Sequence, residues 1–132
     1  MKNVWLVLLA SVATVAAKAT TLNCVVPMDK GTPVISATVD ASEESSGDFV
    51  TLTINEPQKS ALVYFNQMEK GAFSKGIAEG SLVTLVVSES AKMENGAVKG
   101  AGFLVLQKDD QNPGSLSGFA SINDTFYPLE CK

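Results

Sequence analysis

From Val34 onward the chain alternates apolar and polar residues with a period of two. Turn-forming residues interrupt the alternation at intervals of roughly a dozen residues. Ile35, Ala37 and Val39 fall on one side of a stretch that puts Ser36 and Thr38 on the other. Val50, Leu52 and Ile54 alternate in the same way with Thr51 and Thr53. This is the signature of half-buried strands, and no window sustains the 3.6-residue period of an amphipathic helix.

The pattern predicts eight strands, over residues 21–26, 34–40, 49–55, 61–66, 81–88, 98–107, 116–122 and 125–131. Pro27 stops the first, and Glu56-Pro57-Gln58-Lys59 is a turn with proline presetting its backbone angle. Residues 41–47 and 71–80 are predicted as loops, the first polar and solvated, the second mobile because Gly71, Gly76 and Gly80 recur in it. Residues 88–96 form a connection with room for one helical turn, ending in the turn pair Asn95-Gly96. Gly100 and Gly102 mark a bulge or bend. Residues 109–114 are a turn, and Asn123-Asp124 joins the last two strands in a hairpin.

Strands of this number and spacing imply an all-β fold, a single antiparallel β-barrel or sandwich of about eight short strands. Simple up-and-down order sets the first strand beside the last and favours the barrel; a Greek-key sandwich is the alternative. Two strands are richer in apolar residues than a solvated wall requires: Leu82 to Val87, placed centrally because both its faces are apolar, and Phe103 to Leu106. Either a second layer covers them or they face another molecule.

The N-terminus changes the setting. Lys2, the apolar run from Val4 to Ala10, and the small-x-small sequence Ala17-Lys18-Ala19 have the form of an export signal. The expectation is a leader over residues 1–19, cleaved between Ala17 and Thr20, and one secreted or periplasmic β-domain over residues 20–132. The run is too short for a membrane span, so no stable membrane insertion is expected after cleavage. In an oxidising compartment the two cysteines, Cys24 and Cys131, form a disulfide that ties the chain ends together. Closing a loop of roughly 100 residues stabilises a fold by ~4–5 kcal/mol in the chain-entropy model.

Composition narrows the chemistry. All 10 basic residues are lysine, against 14 acidic ones, and loss of Lys2 and Lys18 with the leader makes the domain more acidic than the −4 of the whole chain. Such a surface repels phosphate backbones, so nucleic acid is excluded as a partner class. Histidine is absent, which removes the usual general base, the Ser-His and Cys-His pairs and the commonest zinc ligand. Trp5 is the one tryptophan, and the Gly-x-Trp signature of lipocalin-type carriers is missing. No Ser-x-x-Lys follows the leader, no catalytic set is assigned, and no cofactor is expected.

Three candidate sites remain. Phe73 and Ile77, in the glycine-rich segment, are candidate partner anchors on a loop, or they fold back to cap the core. Asp109, Asp110 and Asn112 gather oxygen ligands as a calcium candidate, without the spacing of an EF-hand, and a solvated turn fits them better. Asn123-Asp124-Thr125 matches a glycosylation acceptor and reads first as a turn. The functional expectation is a secreted, non-enzymatic binding domain that engages an unknown protein through a loop or a sheet face. The alternatives are a hollow barrel carrying a small apolar ligand and a small hydrolase using carboxylates. The sequence does not specify an oligomeric state.

Overall fold

The computed structural model describes residues 18–132. The expected leader lies outside the described residues except for Lys18 and Ala19, which open the first strand. Eight antiparallel strands close into a barrel in simple up-and-down order: β1 (Lys18–Val25), β2 (Ser36–Glu44), β3 (Gly47–Asn55), β4 (Leu62–Met68), β5 (Ser81–Glu94), β6 (Ala97–Lys108), β7 (Leu116–Ile122) and β8 (Thr125–Cys131). A short helix, α1 (Ala72–Glu79), connects β4 to β5. The barrel alternative is therefore the one adopted.

Closure takes place where β8 meets β1. Asn23 and Lys132 exchange both backbone hydrogen bonds, at 3.0 and 2.9 Å. The next pair along the ladder, Cys24 opposite Cys131, is therefore a non-hydrogen-bonded pair, the kind whose side chains approach most closely across antiparallel strands. The two sulfurs are bonded there, across a sequence separation of 107. The seam is short, with Val25 opposite Glu130 as its other registered pair. A disulfide is at home outside the reducing cytoplasm.

Inward positions fill the barrel with one continuous apolar core. Val39, Leu52, Ile54, Leu104 and Leu106 have no exposed surface, and Leu22, Val50, Val86, Ala120, Ile122 and Leu129 pack around them. Close packing at this density is the ordinary state of a protein interior.

Several elements differ from the sequence expectation. Residues 41–44 are strand, because Ser42 and Glu43 pair with Phe49 and Asp48 in register; only Ser45 and Ser46 remain as turn. Polar side chains pointing outward do not prevent backbone pairing. Likewise residues 88–94 continue β5 rather than forming a connection, and Asn95 and Gly96, both at positive φ (50° and 79°), turn the chain into β6. The glycine-rich segment is helical: Gly71 and Gly80 adopt left-handed conformations at its two ends, as helix-bounding glycines do. β5 is not central, since a closed barrel has no centre, and no second layer covers its outer face among the described residues.

The bulge expected near Gly100 is present. Val87 pairs with Ala101 and Lys92 with Lys99, so four residues of β5 stand opposite the single Gly100. Gly100 has φ +83°, and a Cβ there would meet Ser88 Oγ and the Ala91 backbone.

A Cys24→Ser/Cys131→Ser double variant is expected to lose about 4–5 kcal/mol of unfolding free energy relative to the oxidised protein. Urea unfolding at matched pH measures this, and a loss under about 1 kcal/mol shows that the bond does not restrain the unfolded chain as the entropy model requires.

Candidate functional site

Connections of an up-and-down barrel alternate between its two ends. α1 shares one end with the β2–β3 and β6–β7 turns; the β3–β4, β5–β6 and β7–β8 turns lie at the other. Each end is closed by named contacts.

At the helix end, Phe73 inserts its ring into the core and is 2% exposed, while Ile77 packs partly buried beside it. Residues 73, 76 and 77 occupy one face of the helix, and Gly76 lets that face approach Leu82 closely. α1 supplies no side-chain cap of its own. Asp48, at the start of β3 and 1% exposed, accepts hydrogen bonds from Gly71 N–H (3.1 Å) and Phe73 N–H (2.9 Å). The carboxylate thus satisfies two orphan donors and faces the positive end of the helix. Of the two expectations for Phe73 and Ile77, capping the core is the observed placement. Phe73 lacks the exposure that a partner anchor needs, because helix formation turns its ring inward.

At the opposite end, the Tyr127 hydroxyl donates to Glu56 Oε1 at 2.7 Å, and Glu56 Oε2 pairs with Lys59 Nζ at 2.8 Å. The Tyr64 hydroxyl donates to Asn123 Oδ1 at 3.0 Å. Burial, reinforced by the hydrogen bond and negative charge of Glu56, pushes the Tyr127 phenol up to about 12. The hydrogen bonds from Lys59 and Tyr127 hold the Glu56 carboxyl below its ordinary value.

The calcium candidates sit in the β6–β7 turn. Asp109 accepts from Gln111 N–H and from Asn112 Nδ2, both at 3.0 Å, which makes a self-contained turn and lowers its carboxyl below the usual range. Asp110 is exposed beside it. Among the described residues, no cluster of three or more His, Cys, Asp or Glu side chains is arranged to hold a metal. A groove of about 700 Å³ runs past this turn between Asn23, Pro113, Glu130 and Lys132. Asn123 occupies the β7–β8 turn with φ 50°.

The outer wall has two chemically distinct halves. On β1 to β3 the outward positions include Thr21, Asn23, Ser36, Thr38, Asp40, Thr51 and Thr53, and Thr21 Oγ1 donates to Asp40 at 2.6 Å. From β4 to β8 apolar residues predominate among them, alongside Gln67, Gln107, Ser117, Ser121 and Glu130. Phe65 pairs with Val87, Leu85 with Phe103 and Val83 with Val105; Phe119 stacks on Phe126 with ring centroids 4.8 Å apart. Val83 is 61% exposed, Phe103 53% and Phe126 59%. The four strands β5 to β8, about 4.8 Å apart and about six residues long, cover on the order of 400 Å² in plan, the polar Ser117, Ser121 and Glu130 included. Their outward residues on β5 to β7, from Val83 to Val87, Ala101 to Val105 and Ser117 to Ser121, include no charge.

Among the described residues no helix is long and apolar enough to cross a membrane. The barrel itself has an apolar interior and a half-polar wall, the reverse of a spanning barrel with its polar lumen and continuous apolar belt.

The carboxylate under α1 gives the first expectation for this region. Asp48→Ala leaves the buried Phe73 N–H without a partner and costs about 1–3 kcal/mol. α1 amides then exchange faster with solvent, whereas Asp48→Asn, which keeps one acceptor, loses less. The tyrosine end gives the second. The folded Tyr127 phenol lies near 12 against an ordinary 10.0, so its contribution to stability is complete below pH 10.0 and is lost as pH rises through about 12. Ultraviolet titration of Glu56→Gln should bring the phenol part of the way back to its ordinary value, with burial retaining the rest.

Compared with protein-family models, curated proteins and solved structures, the chain matches none.

Proposed function

We propose that this chain is a secreted or periplasmic, non-enzymatic binding domain that engages another protein through the apolar outer wall of β5 to β8. The observation that carries this reading is the sidedness of the wall. The same backbone scaffold presents mainly threonine, serine and aspartate on β1 to β3, with Phe49 and Val25 as outward exceptions, and concentrates valine, leucine and phenylalanine on β5 to β8 around the polar Ser117 and Ser121. Core packing does not account for the second set, because these side chains point away from the core. Half-exposed aromatic anchors in a patch that is uncharged over β5 to β7 and edged by Glu130 on β8 resemble the composition of interface centres.

The shape of the surface favours a macromolecular partner. A small ligand needs concavity, whereas this wall is the convex outside of a barrel, suited to a macromolecular face. Net negative charge disfavours nucleic acid, and a protein face is the partner proposed. The carrier alternative needs a hollow interior, and the fully enclosed Leu52, Ile54, Leu104 and Leu106 weigh against it. The hydrolase alternative needs free carboxylates in an enclosed place, and both oxygens of the buried Asp48 are engaged with α1.

Photo-crosslinking in the native extracellular milieu tests the proposal. A crosslinker at position 83 or 103 is expected to capture one discrete protein, while the same group at position 38 or 53 captures none. Leu85→Lys with Phe103→Glu should abolish capture and leave thermal unfolding within about 1 kcal/mol of the parent, since both side chains lie outside the core. Equal labelling from the two walls, or capture that survives the double substitution, contradicts this function.

A further inference from the structure

Above the β4–β6 part of the barrel mouth, under the β5–β6 hairpin, lies a groove of about 380 Å³ lined by Tyr64, Ser88, Ser90, Lys92, Lys99 and Asn123, among others. No aspartate or glutamate lines it, although the chain carries 14 acidic residues. Lys92 and Lys99 are direct cross-strand partners. Like charges placed opposite one another destabilise a β-ribbon, and a two-stranded ribbon has little stability in reserve. Among the described residues the one ion pair is Lys59–Glu56, so neither ammonium group has a carboxylate partner.

Among the other side chains of the groove, the Asn123 amide and one serine hydroxyl keep protons to donate. Asn123 Oδ1 is taken by the Tyr64 hydroxyl, which leaves the Asn123 side-chain N–H₂ to donate. Ser88 and Ser90 hydroxyls lie 3.2 Å apart, and only one of them can spend its proton on the other. The bulge opposite Gly100 brings this set together: a side chain at Gly100 would displace Ser88 and Ala91.

We infer that this groove is an oxyanion-binding site, independent of the apolar wall, that takes a tetrahedral dianion such as the phosphate group of a small molecule. Two ammonium groups match its charge, and the amide and hydroxyl donors match its several acceptor oxygens. Binding relieves the repulsion between Lys92 and Lys99.

The test is a ¹H–¹⁵N titration of the intact oxidised protein with inorganic phosphate and with sulfate, each against sodium chloride at matched ionic strength. Both oxyanions are expected to shift amides of residues 88–100 and 123 saturably. Lys92→Gln with Lys99→Gln should weaken the binding roughly tenfold or more, as loss of charge-assisted hydrogen bonds requires. Lys30→Gln with Lys75→Gln removes the same charge elsewhere and should leave it unchanged. Shifts reproduced by chloride, shifts located away from the groove, or equal weakening in the two double variants would overturn the site. A dispersed spectrum of each variant shows that it is folded.

Discussion

A β-sheet is stable at its edges only if the unpaired N–H and C=O groups there find partners. In this protein the first and last strands solve that problem for each other, and the rest of the architecture depends on it. Asn23 and Lys132 exchange backbone hydrogen bonds, and the disulfide locks the adjacent rung. Because the β1–β8 seam is so short, the covalent bond carries a share of closure that a longer ladder would carry elsewhere in the barrel. Once closed, the barrel has no edge, and inward side chains from all eight strands meet in one core.

Closure leaves two ends and one outer surface to be accounted for. α1 plugs one end through Phe73 and is held by a carboxylate from β3, so a helix too short to persist alone is fixed by tertiary contacts. Two tyrosines tie the turns of the other end across the mouth. The interior is filled, and on the outside the chemistry is uneven. The wall of β1 to β3 is mainly polar, whereas exposed apolar side chains are concentrated on β5 to β8.

Much of the scaffold was legible in the sequence because period-two alternation is a local signal. β7 and β8 coincide with the expected strands, and Asn123 and Asp124 adopt φ of 50° and 59° in the turn between them. The cysteine positions near both ends of the domain pointed to closure for an equally direct reason. The apolar wall was legible as excess hydrophobicity in two strands, though not its continuity, which depends on register across several strands. α1 was hidden because its bounding glycines resemble those of a mobile loop, and only the Phe73–Gly76–Ile77 spacing hinted at a helix. Asp48 reaching Phe73 N–H, Tyr127 reaching Glu56, and Lys92 facing Lys99 all depend on tertiary placement or on the bulge at Gly100, which no local pattern encodes.

The most direct measurement of closure is native-state amide hydrogen exchange at Asn23 and Lys132 in the oxidised protein. Lys132 lies just past the end of β8, where an amide outside a strand ordinarily exchanges freely. Protection of both amides well above that of unstructured chain, at a level shared with Val39 and Leu104, is the result that a closed barrel predicts. Exchange at unprotected rates at both positions, with the core strands still protected, would show an open sheet joined only by its sulfurs.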